Sequence, residues 1–269
     1  MIITDNLVIL NLPKTGSSFV RKVVKDIFLK RKNNKFFAKV LNKLGIKSIG
    51  YKEIMAQHHS RHNYKDQHGF YDQIPDEDKN KKILSVVRDP YLRLESIYKF
   101  KWWVSYPPLE QEELYSNFPN FPDLTLEQYL EMQIIFNEKM KKKYNIDKDV
   151  VIGNQSIQFI SFFFKNHKKV LADLNNEYII NGLYKDDMCN VSLISNENLN
   201  EELISFLSKN GFQKEELNFI LNHKKVNVTN SDIKESLINK KLISFVNEND
   251  WILIKILSDL GFDYKNKYL

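Results

Sequence analysis

The sequence predicts an α/β fold in which short parallel strands run through tight turns into helices. Two stretches predict it. Leu7-Val8-Ile9-Leu10-Asn11-Leu12 is an apolar run of strand length, and Phe19, Val20, Val23, Val24, Ile27 and Phe28 follow at the three-and-four spacing of an amphipathic helix. Ile83-Leu84-Ser85-Val86-Val87 is apolar and β-branched, as a buried parallel strand would be. Pro90 suits the first turn of a helix, which Leu92, Leu94, Ile97 and Tyr98 continue. A parallel sheet puts both turns at the carboxyl ends of strands, on one side.

The first turn is Pro13-Lys14-Thr15-Gly16-Ser17-Ser18. A strand that becomes a helix this abruptly leaves backbone N–H groups unpaired at the helix start. With the helix dipole they form a cradle for phosphate or sulfate. Gly16 lets backbone approach an anion, Thr15, Ser17 and Ser18 bring hydroxyls, and Lys14 brings a charge. The order is not G-x-x-x-x-G-K-[ST], since the lysine precedes Gly16 and no glycine stands upstream. The same residues also suit a plain helix capped by Ser17 or Ser18 with an exposed lysine.

Between the two motifs the chain is less regular. Lys30–Asn34 is a basic connection, Phe36–Leu44 reads as a short helix ending at Gly45, and Ile46–Gln57 contains a short strand running into His58-His59. Ser60–Asp72 is polar and histidine-rich, and Ile74–Asp78 reads as a turn. After the second motif, Lys101–Leu124 is aromatic and proline-bearing without clear periodicity. A loop of that length is usually functional or disordered. Thr125 with Gln128 forms a capping box opening a helix to about Tyr144. Gln155–Phe164, Leu199–Lys209, Lys214–Asn222 and Asp232–Leu260 read as helices, the last broken near Asn247–Asp250, and Val191–Ile194 reads as a strand. No repeat or boundary is evident, so residues 1–269 are expected to form one domain.

Composition bounds the function. A 42% hydrophobic content fills a core, and a net charge of +6 favours acidic ligands. No nucleic-acid module signature occurs. The single cysteine, Cys189, excludes an internal disulfide framework and a cysteine zinc site. No apolar run reaches membrane-spanning length, and the first strand begins too early for a leader, so a cytoplasmic protein is expected.

Arg88 and Ser96 stand eight residues apart, about two helical turns, so both can address one anion. A salt bridge from Arg88 to Asp89 is the plainer reading. Together, Pro13–Ser18 and Val87-Arg88-Asp89-Pro90-Tyr91-Leu92-Arg93-Leu94-Glu95-Ser96 resemble the sulfotransferases that use 3′-phosphoadenosine 5′-phosphosulfate (PAPS). Ser195-Asn196-Glu197-Asn198-Leu199 and Asp259–Tyr264 are similar to weaker landmarks of that family. The resemblance implies a three-layer P-loop NTPase-like fold, with a central parallel sheet flanked by helices and the donor across the strands' carboxyl ends. It also implies that Pro13, Lys14, Thr15, Gly16, Ser17 and Ser18 hold the donor's 5′-phosphosulfate, and that Arg88 and Ser96 hold its 3′-phosphate. The product would be adenosine 3′,5′-bisphosphate. No Arg-Lys-Gly occurs, and Lys224-Lys225 stands in roughly its place, as donor contacts or as a solvated pair. The chain looks closer to the carbohydrate-modifying branch, so the acceptor is expected to be a saccharide.

Sulfuryl transfer needs charge stabilisation, a neutralised leaving phosphate and a base for the acceptor hydroxyl. Lys14 suits the leaving group, and no metal is demanded. Four of the six histidines, His58, His59, His62 and His68, lie between the two motifs. The resemblance points to His59, followed by Ser60, as the base, with His58 next and Glu53 a further candidate. His58 and His62 at i, i+4 would suit a metal only with further ligands. The aromatic stretch 101–124 would border the acceptor. Two other readings remain open: a kinase or triphosphatase, opposed by the missing G-K-[ST], and a noncatalytic nucleotide- or polysaccharide-binding protein, which would not need both Lys14 and a histidine.

Overall fold

A computed structural model describes residues 1–33, 50–57, 65–223 and 235–268. The predicted helix over 36–44 lies outside these residues. The chain gathers into two compact units, one of residues 1–88 and 190–228, the other of residues 89–189 and 229–269.

The first unit is built on a five-stranded sheet in the order β3-β1-β2-β6-β7. Its strands are β1 (Ile2–Ile3), β2 (Leu7–Ile9), β3 (Lys52–Glu53), β6 (Lys82–Val87) and β7 (Val191–Ser195). A separate pair, β4 (Ala56–Gln57) and β5 (Lys65–Asp66), is antiparallel. The sheet is mixed: its β2, β6 and β7 strands are parallel as expected, and antiparallel strands extend one side. β2, β6 and β7 run parallel, with Val8 opposite Ile83 and Val86 opposite Ile194. β1 pairs antiparallel with β2 and with β3. The reason is local: only three residues separate β1 from β2, enough for a hairpin and far too few for a parallel crossover.

Helix α1 (Ser17–Asn33) returns from the end of β2 and lays Phe19, Val20, Val23, Val24, Ile27 and Phe28 against Leu7, Ile9, Leu84 and Val86. Leu203 and Leu207 of α5 (Leu199–Lys209) join the same core. The alternate residues Val8, Ser85 and Val87 are buried too, so these strands are covered on both faces, as their unbroken apolar sequence requires. Arg31 closes the end of α1 by gripping Glu216 through Nε (2.6 Å) and Nη2 (2.8 Å).

The second unit is helical. Its main members are α2 (Pro90–Phe100), α3 (Leu126–Tyr144), α4 (Asn154–Phe163), α6 (Lys240–Asn249) and α7 (Trp251–Asp259). The Thr125 capping box forms: Gln128 N donates to Thr125 Oγ1, and Thr125 N donates to Gln128 Oε1. The helix expected over 232–260 starts only at Lys240, with Asn239 as its cap, and breaks at Asp250. Residues 101–124 are not an irregular loop. They hold two short helices, Trp102–Ser105 and Gln111–Asn117, pinned by buried Trp103, Leu109, Leu114 and Phe118. Pro107-Pro108 divides the stretch into pieces too short for a helical period to show. Asp250 is fully buried, its carboxylate accepting from Ser156 N and Oγ and from Gln155 Nε2, and burial pushes its pKa up.

Candidate active site

The site grows from the end of β2. Leu10 N donates to Leu84 O at 2.9 Å and Ser85 Oγ donates to Leu10 O at 2.8 Å, keeping the chain beside β6 past the last strand residue. The next turn closes on one acceptor. Leu12 O receives Thr15 Oγ1 at 2.8 Å and Ser17 Oγ at 2.9 Å. Both hydroxyls therefore hold the loop together, while Ser18 takes no part in that closure. Within this turn Lys14 has φ +62° and Gly16 has φ +93°. Left-handed residues among ordinary ones are how backbone N–H groups are turned to one side in anion-binding nests. For lysine the conformation is strained, and such strain clusters at functional sites.

Asn196, one residue past β7, ties this turn to the sheet. Its backbone N donates to Val87 O at 2.8 Å and its Nδ2 to Thr15 O at 2.9 Å. A Cβ on Gly16 would collide with that Nδ2 and sit 3.1 Å from Leu199 Cδ2. Gly16 is required twice, by its φ and by this close approach.

Arg88, the first residue after β6, donates through Nη1 to Lys14 O at 3.3 Å. The parallel pairing of β2 and β6 has brought the two sequence motifs together. Burial, and secondarily the Arg88 charge, hold the Lys14 ammonium down to a pKa of about 8. Two cations in one half-buried turn repel unless an anion joins them.

His68, among the histidines the sequence set between the motifs, stands beside this loop. Its Nδ1 lies 2.5 Å from Asn11 O, and Asn11 Nδ2 donates to Gln67 O at 3.2 Å. A carbonyl only accepts, so Nδ1 carries the proton and Nε2 is the basic nitrogen. Asn11 is wholly buried, and its Oδ1 has no partner among the described residues. Nothing in the local sequence sets His68 above His58 or His59. The pairing joins residues 57 positions apart, and only the sheet brings them together.

The other expected residues are distributed as follows. Ser96 is buried on α2, two turns from its start. Glu53, on the sheet's edge strand, is held in ion pairs by Arg21 and by Lys25. His58, His59, His62, Lys224 and Lys225 lie outside the described residues. Among the described residues no cluster of three or more His, Cys, Asp or Glu suits a metal ion.

The loop, the Arg88 turn and the sheet between them fall inside one match to known proteins. The model of the sulfotransferase family matches residues 1–244. This chain belongs to the sulfotransferase family. No curated protein matches it. As a sulfotransferase-family member the chain is a transferase, and its residues 245–269 extend past the matched region. Among the described residues, no helix is long and apolar enough to cross a membrane.

Proposed function

We propose that this sulfotransferase moves a sulfuryl group from PAPS to a hydroxyl of a saccharide, on a P-loop-type fold in which residues 1–269 act as one domain. The observation that carries the reading is the turn in which Arg88 Nη1 donates to the carbonyl of Lys14, with Lys14 and Gly16 both left-handed and the lysine's pKa lowered to about 8. A turn of that charge and shape fits a phosphosulfate. Gly16 gives the backbone the approach that such a group needs.

In this reading Pro13–Ser18 hold the 5′-phosphosulfate, the loop's N–H groups and Ser18 being the donors, since Thr15 and Ser17 are bonded to Leu12. Arg88 and Ser96 hold the 3′-phosphate, Lys224 and Lys225 lend charge to it, and the exposed aromatics Trp102 and Tyr115 serve the acceptor. PAPS supplies an activated sulfur. Lys14 neutralises the bridging oxygen as the bond from sulfur to the 5′-phosphate breaks. The base takes the acceptor's hydroxyl proton as the new oxygen–sulfur bond forms, and adenosine 3′,5′-bisphosphate leaves. His68 is the leading base: the bond to Asn11 O fixes its tautomer with Nε2 basic. His59, then His58, are the alternatives.

The donor assignment is tested by calorimetry. Adenosine 3′,5′-bisphosphate should bind more tightly than adenosine 5′-phosphate, and Arg88→Ala should cost about ten- to a hundredfold, the worth of charge-assisted hydrogen bonds. Equal affinity for the two nucleotides in the wild-type protein would remove the 3′-phosphate site.

The base is tested separately. His68→Ala should lose about 10²–10⁴-fold in turnover while binding adenosine 3′,5′-bisphosphate normally, and the acid limb of its pH–rate profile should vanish. A near-wild-type rate for that variant, with His59→Ala or His58→Ala inactive, passes the role to the latter.

A further inference from the structure

Asp89 is wholly buried and does two jobs. Its Oδ1 caps α2, accepting from Tyr91 N at 2.9 Å and Leu92 N at 3.3 Å. Its Oδ2 is satisfied from the other end of the chain, by Tyr268 OH at 2.7 Å and Lys267 Nζ at 3.3 Å. The Tyr268 ring packs on Tyr91 with centroids 4.4 Å apart, and Tyr91 OH donates to Asn247 Oδ1 at 2.5 Å. A buried carboxylate is tolerated only when its oxygens are bonded or paired. Here one oxygen is held by the helix it opens and the other by residues 267 and 268. Those two residues lie beyond the region that the family match covers.

We propose that Lys267-Tyr268 is a strap that positions the nucleotide's 3′-phosphate contact through Asp89. The inference rests on the donor reading given above. Ser96 projects from α2, so its direction depends on where that helix starts. A slip of one residue at the cap would turn Ser96 by about 100° around the axis. Asp89 sets that start, and the strap fixes the Asp89 carboxylate in its capping position. Lys267 also brings a cation to the turn that directly follows Arg88 in the chain. Lys267 and Tyr268 are positioning residues: they act through Asp89 and need not touch the nucleotide.

A tail that served stability alone would lower the melting temperature and leave nucleotide choice unchanged. The experiment reads that difference. Full-length wild type, Tyr268→Phe and the double variant Lys267→Met with Tyr268→Phe are titrated with adenosine 3′,5′-bisphosphate and with adenosine 5′-phosphate. Tyr268→Phe keeps the ring against Tyr91, so it tests the hydroxyl without removing the packing. The preference for the bisphosphate should fall by about three- to tenfold in Tyr268→Phe, a fraction of the value of a hydrogen bond to a charged group, and further in the double variant. Affinity for adenosine 5′-phosphate should stay within about twofold, because that ligand lacks the group being positioned. Undiminished preference in both variants, whatever their melting temperatures, overturns the strap. Absence of any preference in the wild type overturns the donor reading itself, and the strap with it.

Discussion

Lys14 combines two costs. Its backbone is left-handed, and its ammonium is half-buried beside a guanidinium that it repels. Burial first, and Arg88 second, bring its pKa to about 8, so a bound anion must raise it again. The pH dependence follows from that sign. Anion binding takes up a proton wherever the free lysine is partly neutral and the bound one is charged. Affinity for adenosine 3′,5′-bisphosphate should therefore be flat below about pH 7 and fall above pH 8, by up to tenfold per unit. Calorimetry at pH 8.5 in two buffers of different ionisation enthalpy should register the uptake, and Lys14→Met should abolish it. Zero uptake in the wild type would mean that Lys14 is remote from the ligand. Stability runs the other way. The folded pKa lies below the unfolded value of 10.5, so the unfolded chain holds more protons between about 8 and 10.5. The ligand-free protein should gain stability from this group as pH rises through that window, and Lys14→Met should melt higher at pH 7 while losing turnover. Lys14 was legible in the sequence as a cation beside a glycine. Its lowered pKa was not, because the burial that chiefly causes it comes from the fold, and Arg88, the second cause, reaches it only through the pairing of β2 with β6.

At the scale of elements, the loop and α1 form one object because Asn196 stitches Thr15 to the end of β7. Gly16→Ala should cost about 2–4 kcal/mol in urea denaturation, combining a left-handed alanine with the clash on Asn196. Asn196→Ala removes the obstacle as well as the bond, so the double variant should lose less than the two single costs added together. Simple additivity would mean that the two residues do not meet. The elements themselves were largely legible. Ser-Ser after an apolar strand, Thr125 three residues before Gln128, and Pro90 after Asp89 are start signals whose chemistry is local. The stretch 101–124 was not, because its helices are short and their anchors, Trp103, Leu114 and Phe118, share no period. The antiparallel turn of β1 against β2 escaped for a related reason: two-residue strands carry no alternation to read.

For the whole molecule, what the sequence concealed is what the chain brings from afar. Both Asp89 and Tyr268 are visible as residues, but the bond between them spans 179 positions. His68 and Asn11 are hidden in the same way. The order of strands in the sheet carries a consequence for how the chain must be made. β6 is complete at Val87, yet the neighbour that covers its outer side, β7, begins only at Val191. At about 5–20 residues per second, synthesis of the intervening segment takes roughly 5–20 seconds. Throughout that interval a nascent chain has an open parallel edge bearing Leu84 and Val86, the kind of edge that templates association between unfinished chains. The ribosome must release most of the second unit before the first can close, so the protein's most vulnerable moment comes during translation, between the making of one strand and the arrival of its partner.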